Sequence, residues 1–238
     1  MEPLTRISRA EPDRIDVRGR DLAGDLMGRL TFTEHFHLLL TGREPSEDER
    51  FVLDLLLVAI AEHGLMPSNV AARMTLAADP AAPQGAVAAG ILGAGTVVLG
   101  AAGECARFLA DARERGAEAV VRELHEAGRR VPGFGHPLHR PVDPRAERIL
   151  ALAGERGLAG ASCKLARELH GVVADVTGKE LTLNVSLAIA AVLLDLGYGP
   201  FAATAIPILA RTAGLLAHLA EEQQHPIGLE LAARAADE

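Results

Sequence analysis

The residue types in this chain best suited to chemistry concentrate in residues 131–145, which read VPGFGHPLHRPVDPR. Glycines leave backbone N–H groups open to a ligand and prolines restrict the turns, so the imidazole of His136 would be presented in one place. Arg140 and Arg145 follow it within nine residues. Guanidinium groups bind carboxylate or phosphate through two parallel hydrogen bonds, and the segment therefore favours an anion site. The alternative is a proline-rich connector with a solvated basic face.

Two further candidates lie outside this loop. His63 stands at the predicted end of a helix, just before Gly64 and Pro67, where a histidine can also simply favour the negative end of the helix dipole. Arg211 interrupts the otherwise apolar residues 201–220, so its charge needs either an internal carboxylate partner or a carboxylate ligand. The sequence leaves both alternatives open for each residue.

Common catalytic and metal-binding motifs are absent from the sequence. It contains no GxSxG and no HExxH, and no glycine cluster follows a strand pattern as in dinucleotide-binding folds. His136 and His139 lie in a proline-rich loop, where the ligand geometry of a helix is excluded. Cys105 and Cys163 form no CxxC pair, and no secretory leader is evident ahead of them. We therefore expect no metal ion, reduced cysteines and a cytoplasmic protein.

The charge and composition of the chain argue against two classes of partner, nucleic acids and membranes. The 238 residues include 24 Lys and Arg against 32 Asp and Glu, a net charge of −8, which argues against nucleic-acid binding. Residues 80–103 carry no charge and are long enough to span a bilayer, but they are rich in Ala and Gly and poor in large apolar side chains. This composition favours a buried helix packed closely against other helices, so we expect no membrane partner.

The apolar spacing is helical almost throughout and alternating β-branched residues are rare, so we predict an all-α protein. Capping and turn residues bound the helices: Ser46 and Glu49 form a capping-box pattern, Pro67 marks a start, and Gly42 and Gly178 mark ends. The final sixteen residues would form an arm or a frayed end. Helices are predicted over residues 33–40, 46–62, from 67 onward, 84–110, 117–128, 145–156, 161–176, 185–196 and 201–222. The helix over residues 84–110 would be long and buried, and interrupted by its own glycines.

The loop motif resembles the signature of the citrate synthase superfamily, in which Pro-Gly-Phe-Gly-His, here ending at His136, precedes Asp-Pro-Arg, here ending at Arg145. Other segments resemble the family in the same order along nearly the whole chain. They are Arg18-Gly19 within residues 15–22, residues 32–42, Glu62-His63-Gly64 followed by residues 68–73, Asn184-Val185, and residues 210–218 around Arg211. The short length, and Leu99 where long citrate synthases have a histidine, resemble the citryl-CoA lyase type and the C-terminal lyase module of ATP-citrate lyase.

The resemblance implies a fold and an assembly. A large helical domain, residues 1–105 and 181–238, would carry a small domain, residues 106–180, that closes over the substrate. Two chains would form a homodimer through apolar helices that include the uncharged residues 84–103. Residues 223–228 lack the arginine that citrate synthases commonly contribute to the neighbouring site, which a substrate with fewer carboxylates than citrate would explain.

The resemblance also implies roles for individual residues. His63, His136, Arg145 and Arg211 would bind the carboxylates and the hydroxyl or keto oxygen of a citrate or oxaloacetate group. His63 and His136 would also be catalytic, with His136 polarising the oxygen on the carbon being cleaved. A CoA thioester would be a substrate, and no cofactor is expected. The residues expected to contact CoA are Pro132, Gly133, Phe134, Gly135, Arg140 and Lys179.

One departure from the family concerns the catalytic position Ser186. The family has, directly after Asn-Val, an Asp that moves the proton at the acetyl methyl group, and this chain has Ser186. A hydroxyl cannot act as an unassisted base near pH 7, and a positioned acid or base contributes ~10²–10⁴ in rate. The leading hypothesis is slow cleavage of citryl-CoA to acetyl-CoA and oxaloacetate. The alternatives are condensation of acetyl-CoA with oxaloacetate or another 2-oxo acid, and a CoA-ester or carboxylate-binding protein with weakened catalysis.

Overall fold

The computed structural model describes residues 4–236, and the side chains of residues 4–234. Helices dominate this part of the chain, as the apolar spacing predicted. The helices are α1 Phe32–Thr41, α2 Glu47–Ala61, α3 Pro67–Ala78, α4 Pro83–Val98, α5 Ala101–Arg115, α6 Ala117–Glu126, α7 Pro144–Glu155, α8 Ala161–Thr177, α9 Val185–Asp195, α10 Pro200–Gln224 and α11 Gly228–Ala236.

The helix ends lie where the capping residues predicted them. Glu49 N–H donates to Ser46 Oγ at 3.2 Å while Ser46 N–H donates to the Glu49 carboxylate at 2.8 Å, which is the expected capping box. Helix α1 ends at Gly42 and α8 at Gly178, and both glycines adopt left-handed backbone angles. These local signals fix the helix boundaries without help from tertiary packing.

A small antiparallel sheet near the N-terminus was not expected from the sequence. Its strands are β1 Ser8–Ala10, β2 Ile15–Val17 and β3 Arg20–Asp21, paired in the order β1-β2-β3. Arg18 and Gly19 both have positive φ in the two-residue turn between β2 and β3, as a tight hairpin requires. Strands of two or three residues are too short to show alternation, which is why the sequence pattern missed them.

The chain divides into two compact units, residues 1–55 and residues 56–238. The first contains the sheet, a π-helical turn at Leu22–Leu26 and α1, with Val17, Leu26 and Leu38 in its core. The second contains every residue of the candidate site described below. The small closing domain of residues 106–180 stays a prediction.

Helix α9 lies at the centre of the second unit. It is apolar on all sides, and α5, α7, α8 and α10 pack around it. The Asn184 side chain accepts a hydrogen bond from Ser186 N–H at 3.1 Å and so begins the helix. Because α9 is enclosed, its first turn is a fixed point against which a loop can be placed.

The long helix predicted over residues 84–110, interrupted by its own glycines, is interrupted as expected, but it forms two helices and is not buried throughout. Gly95 has φ 55° and breaks the segment, and a second helix begins at Ala101. Within the single chain, Leu92 and Val97 of α4 are 80% and 83% exposed. The segment Pro83–Arg115 and the helix Pro200–Gln224 are each long and apolar enough to cross a membrane, which is weak evidence because soluble core helices meet the same criterion.

The C-terminal segment is also different from the expected frayed arm. Helix α11 packs against α3, and Gly228 lies so close that an added Cβ would be 2.6 Å from the Arg73 carbonyl oxygen. Buried Arg73 donates to buried Glu222 at 2.9 Å, and Glu222 accepts from Gly228 N–H at 2.6 Å. This buried ion pair attaches the start of α11, and neither partner was identified from the sequence.

Candidate active site

The loop of residues 131–143 is fastened to the segment that precedes α9. Gly135 N–H donates to the Thr182 carbonyl at 2.7 Å, and Asn184 N–H donates to the Gly133 carbonyl at 2.9 Å. Gly133 has φ +83°, and an added Cβ would lie 2.6 Å from Leu187 Cβ, so only glycine fits there. These contacts place His136 beside the first turn of α9.

Asp143 orients Arg145. The buried Asp143 carboxylate accepts from Arg145 Nε at 3.1 Å and from its terminal nitrogen at 2.9 Å, and also from Val185 N–H at 3.1 Å. Burial alone would raise the pKa of Asp143, but the hydrogen bonds and charge of Arg145 keep it below its usual value. Asp143 is therefore an anion whose function is to hold Arg145 in place.

The backbone fixes the tautomer of His136. Its Nδ1 accepts hydrogen bonds from Leu138 N–H at 3.1 Å and from His139 N–H at 2.9 Å. Burial, and then the nearby His139, lowers the pKa of His136, so the ring is neutral near pH 7 and carries its proton on Nε2. The Nε2 atom lies 3.4 Å from a terminal nitrogen of Arg145, and in this tautomer both groups are donors that face the same space. The Nε2–H is a hydrogen-bond donor available to a ligand oxygen.

His63 and His139 complete a group of three imidazoles. His63 Nε2 lies 3.1 Å from His139 Nε2, and the His136 and His139 ring centroids are 4.3 Å apart. Burial, followed by the charge of Arg145, lowers the pKa of His63. Two rings from the loop and one from the end of α2 therefore meet in one pocket, although His63 and His139 are 76 residues apart in sequence.

Arg211 enters the same pocket from α10. Its side chain is 3% exposed, and its Nε and one terminal nitrogen have no hydrogen-bond partner among the described residues. Glu62 Oε2 is 4.0 Å from that terminal nitrogen, beyond hydrogen-bond range, and His218 Nε2 lies 3.1 Å from the same carboxylate oxygen. Burial lowers the pKa of Arg211, although Glu62 opposes that shift. A buried guanidinium with unpaired donors is suited to a carboxylate ligand.

The four predicted substrate-binding residues therefore converge. His63 is electrostatically coupled to Arg145 and Arg211, and its ring centroid is 5.8 Å from that of His136. Ser186 lies half-buried in the first turn of α9, next to Val185, whose backbone N–H donates to Asp143. The roles predicted for these residues remain predictions, but the placement of the four substrate-binding residues in one pocket is a property of the fold.

The three histidines have ligand atoms within 4.8 Å of one another, close enough to consider a metal ion. His136 does not suit that role. Its Nδ1 already accepts two backbone hydrogen bonds, and ligation through Nε2 would require a proton on Nδ1 that faces two N–H donors. The donor set therefore fits hydrogen bonding to an oxygen better than metal coordination.

A cavity of about 800 Å³, called the basic cavity below, opens beside His136. Its charged lining residues are three basic ones and two acidic ones, Arg140, Arg167, Lys179, Glu147 and Glu180. Of the residues predicted to contact CoA, Gly135, Arg140 and Lys179 line it, and Phe134 stacks on the lining residue His170 with ring centroids 6.5 Å apart. Gly133 packs on Leu187, and Pro132 lines a different cavity of about 680 Å³. Neither Gly133 nor Pro132 lines the basic cavity. Their placement therefore does not support the predicted contact with CoA.

Sequence reasoning missed part of this basic cavity. Arg167 and His170 of α8 also line it. The two residues are three apart on one helix, so they share a face, and that face turns toward the loop because α8 packs on α9. Their spacing was visible in the sequence, but which face of α8 meets the loop depends on tertiary packing.

The family model described as citrate synthase, C-terminal domain, matches residues 9–229. The chain belongs to the citrate synthase family. The members of this family are enzymes.

Two solved structures and one citrate synthase sequence are similar to this chain over most of its length. This citrate synthase family chain is similar to the structure of citryl-CoA lyase from Hydrogenobacter thermophilus, with a TM-score of 0.85 and 32% identity, covering 93% of this chain and 87% of the other. ATP citrate lyase from Methanothrix soehngenii, solved with citrate and coenzyme A, shares the fold with a TM-score of 0.80 at 21% identity, over 94% of this chain and 39% of its own. Citrate synthase from Haloferax volcanii is 28% identical over 232 residues, which are 94% of this chain and 61% of that relative's length.

Proposed function

We propose that this protein cleaves citryl-CoA to acetyl-CoA and oxaloacetate. The observation that carries the proposal is the pocket of two arginines and two neutral histidines beside a basic cavity. Arg211 has unpaired buried donors, and Arg145 is oriented by buried Asp143. This combination suits a substrate that has carboxylates at one end and phosphates at the other.

In this reaction the carboxylates of the citryl group would lie against Arg145 and Arg211. The Nε2–H of His136 would donate to the oxygen on the carbon that is cleaved, because the backbone already occupies Nδ1. The pantetheine and nucleotide would follow the basic cavity past Arg140 and Lys179. Breaking the carbon–carbon bond leaves its electron pair on the thioester fragment as an enolate, whose carbon must then take up a proton.

The similarity to the Hydrogenobacter thermophilus citryl-CoA lyase supports cleavage, since it extends over 87% of that protein. The similarity to Haloferax volcanii citrate synthase supports a second candidate, condensation of acetyl-CoA with oxaloacetate or another 2-oxo acid in the same pocket. The chain spans about three fifths of that relative, so the lyase is the better match in length. A CoA-ester or carboxylate-binding protein with weakened catalysis is the third candidate, motivated by Ser186.

The test measures both directions with the same preparation. Citryl-CoA is supplied in one reaction, and acetyl-CoA with oxaloacetate in the other, while free CoA and oxaloacetate are followed. We expect measurable cleavage that Arg211→Met abolishes and the exposed control Arg148→Met retains. Condensation faster than cleavage would favour the synthase, and tight citryl-CoA binding without products would favour the binding protein.

A further inference from the structure

We propose that His139 is the acid–base residue that gives a proton to the acyl carbon during cleavage and removes it in the reverse direction. The inference rests on the proposed lyase function. His139 belongs to the three-imidazole group, with its Nε2 3.1 Å from His63 Nε2 and its ring 4.3 Å from that of His136. It is half-buried, so a substrate can reach it.

Neither carboxylate at the pocket is free to do this work. Asp143 accepts from Arg145 and from Val185 N–H and is fully buried behind the arginine. Glu62 accepts from the backbone N–H groups of His63 and Gly64 at 2.8 and 2.7 Å, and lies 3.1 Å from His218 Nε2. Both are held as anions by these partners, and so neither exchanges a proton readily.

The other two imidazoles have different tasks. His136 is fixed with its proton on Nε2, where it can donate to the substrate oxygen. His63 Nε2 lies 3.1 Å from His139 Nε2, so a proton can pass between these two rings. His139 remains as the imidazole whose proton is not committed to the backbone, and histidine is the side-chain type best suited to exchange protons near neutral pH.

The protons and electrons balance within this group. As the carbon–carbon bond breaks, the hydroxyl proton of the citryl group passes to the His63–His139 pair and the carbonyl of oxaloacetate forms. The bond's electron pair moves to the thioester CH₂ carbon. His139 then gives that carbon one proton, forming the methyl group of acetyl-CoA, and the pair returns to its starting protonation.

His139 is also connected to the segment that carries Ser186. Thr182 Oγ1 donates to the His139 carbonyl oxygen at 3.2 Å, and Thr182 lies four residues before Ser186. The loop bearing His139 is therefore fixed against the segment that leads into α9 and Ser186. The charged neighbours of the imidazole group are Asp143, Arg145 and Arg211.

The test separates proton transfer from carbon–carbon cleavage. Wild type, His139→Gln and the exposed control His125→Gln are compared in three measurements: citrate binding by calorimetry, citryl-CoA cleavage, and exchange of acetyl-CoA methyl hydrogens in D₂O with a dicarboxylate that cannot condense. We expect His139→Gln to lower cleavage and exchange by about 10²–10⁴-fold. Citrate binding should change less than threefold, and His125→Gln should match wild type.

A second variant, His139→Asn, keeps the inference falsifiable if His139→Gln folds poorly, and it should show the same loss of cleavage and exchange once circular dichroism shows that it is folded. Where His139→Gln folds, adding Ser186→Asp should restore exchange at least tenfold, because it supplies another acid–base group next to the segment that holds the loop of His139. His139→Gln with wild-type exchange and cleavage would overturn the inference and leave the lyase proposal intact. A wild-type protein that binds citryl-CoA but neither cleaves it nor exchanges methyl hydrogens would overturn both.

Discussion

Arg211 shows most directly how a single residue connects stability and function. Two buried nitrogens of its guanidinium have no hydrogen-bond partner among the residues that the structure describes, and such groups cost about 1–3 kcal/mol of folding free energy when left unpaired. A residue that weakens the free protein in this way is expected to gain its partners from a ligand. Arg145 differs from Arg211 because two of its nitrogens already donate to Asp143.

We therefore predict that Arg211→Met leaves the free protein at least as stable as wild type but removes stabilisation by citrate or oxaloacetate. The melting temperature is measured by calorimetry with and without either ligand. Arg148→Met, at an exposed position, serves as the control and should keep the ligand-induced rise. An Arg211→Met protein that still shows the full rise would exclude Arg211 from ligand binding.

His63 and His136 make stability depend on pH in a defined window. Both pKa values lie below the ordinary 6.5, so the unfolded chain binds more protons than the folded one in mildly acidic solution. The unfolding free energy should consequently fall as the pH drops from 7.5 through 6.5 to 5.5, which urea titrations can measure. His136→Gln should flatten this slope and His125→Gln should not. An equal slope in all three proteins would contradict the assignment.

At Ser186 we predict that replacement by Asp raises the rate of citryl-CoA cleavage. A buried carboxylate can reach a pKa near the working pH, which a serine hydroxyl cannot do without help. The gain should appear in kcat rather than KM, because proton transfer acts on the transition state while the arginines bind the ground state. A lower kcat in Ser186→Asp than in wild type would show that the serine belongs to a different arrangement of the site.

At the scale of the elements, Asp195 connects the end of α9 to the start of α8. Its carboxylate accepts from the backbone N–H groups of Gly160, Ser162 and Cys163 at 2.7, 2.7 and 3.0 Å. Gly160, at the N-terminal end of α8, has no side chain that could accept from the first N–H groups of the helix. Asp195 supplies this acceptor from the end of α9. This places α8, which carries Arg167 and His170, against the central helix.

We predict that Asp195→Ala destabilises the protein by about 2 kcal/mol, because three N–H groups lose their acceptor. Urea unfolding measures the change, and Asp175→Ala, at an exposed position on α8, should change stability by less than about 0.5 kcal/mol. Equal stability of the two variants would show that water replaces the cap without cost.

Local signals made most of the elements predictable, whereas contacts between them were not. The Ser46–Glu49 capping box and Gly42 bounded their helices correctly. The glycines of residues 84–110 predicted an interrupted helix, but the sequence did not show that Gly95, among several glycines, would be the one to adopt positive φ. The buried pair Arg73 and Glu222 is 149 residues apart, and only the packed fold reveals it.

At the scale of the whole molecule, the family signature predicted four of the pocket residues and did not predict His139. The motif assigns His63, His136, Arg145 and Arg211 by their positions. The approach of His139 to His63 depends on how the loop turns after Pro137, for which the sequence offers no periodic pattern. The resemblance therefore identified the residues that belong to the quoted motifs, whereas His139, which was not among them, was identified from the structure.

The exposed apolar side chains of α4 motivate the prediction of a homodimer. Leu92 and Val97 lie on the surface of the single chain, where large apolar groups in contact with water favour association. Light scattering at micromolar concentration should give twice the chain mass of 25.0 kDa. Leu92→Glu should shift the protein toward monomer, while Leu229→Glu, exposed on α11, should not. A monomeric wild-type protein would contradict the prediction.

The central claim is that the pocket of His63, His136, Arg145 and Arg211 breaks a carbon–carbon bond in a CoA thioester. A single-turnover experiment tests it most directly, with protein in excess over citryl-CoA, acid quenching at successive times, and chromatographic separation of citryl-CoA from acetyl-CoA. Slow catalysis is visible in this format because every bound substrate molecule is followed. We predict first-order conversion to acetyl-CoA and an equal amount of oxaloacetate, abolished in Arg211→Met. Bound citryl-CoA that is recovered intact at all times would contradict the account.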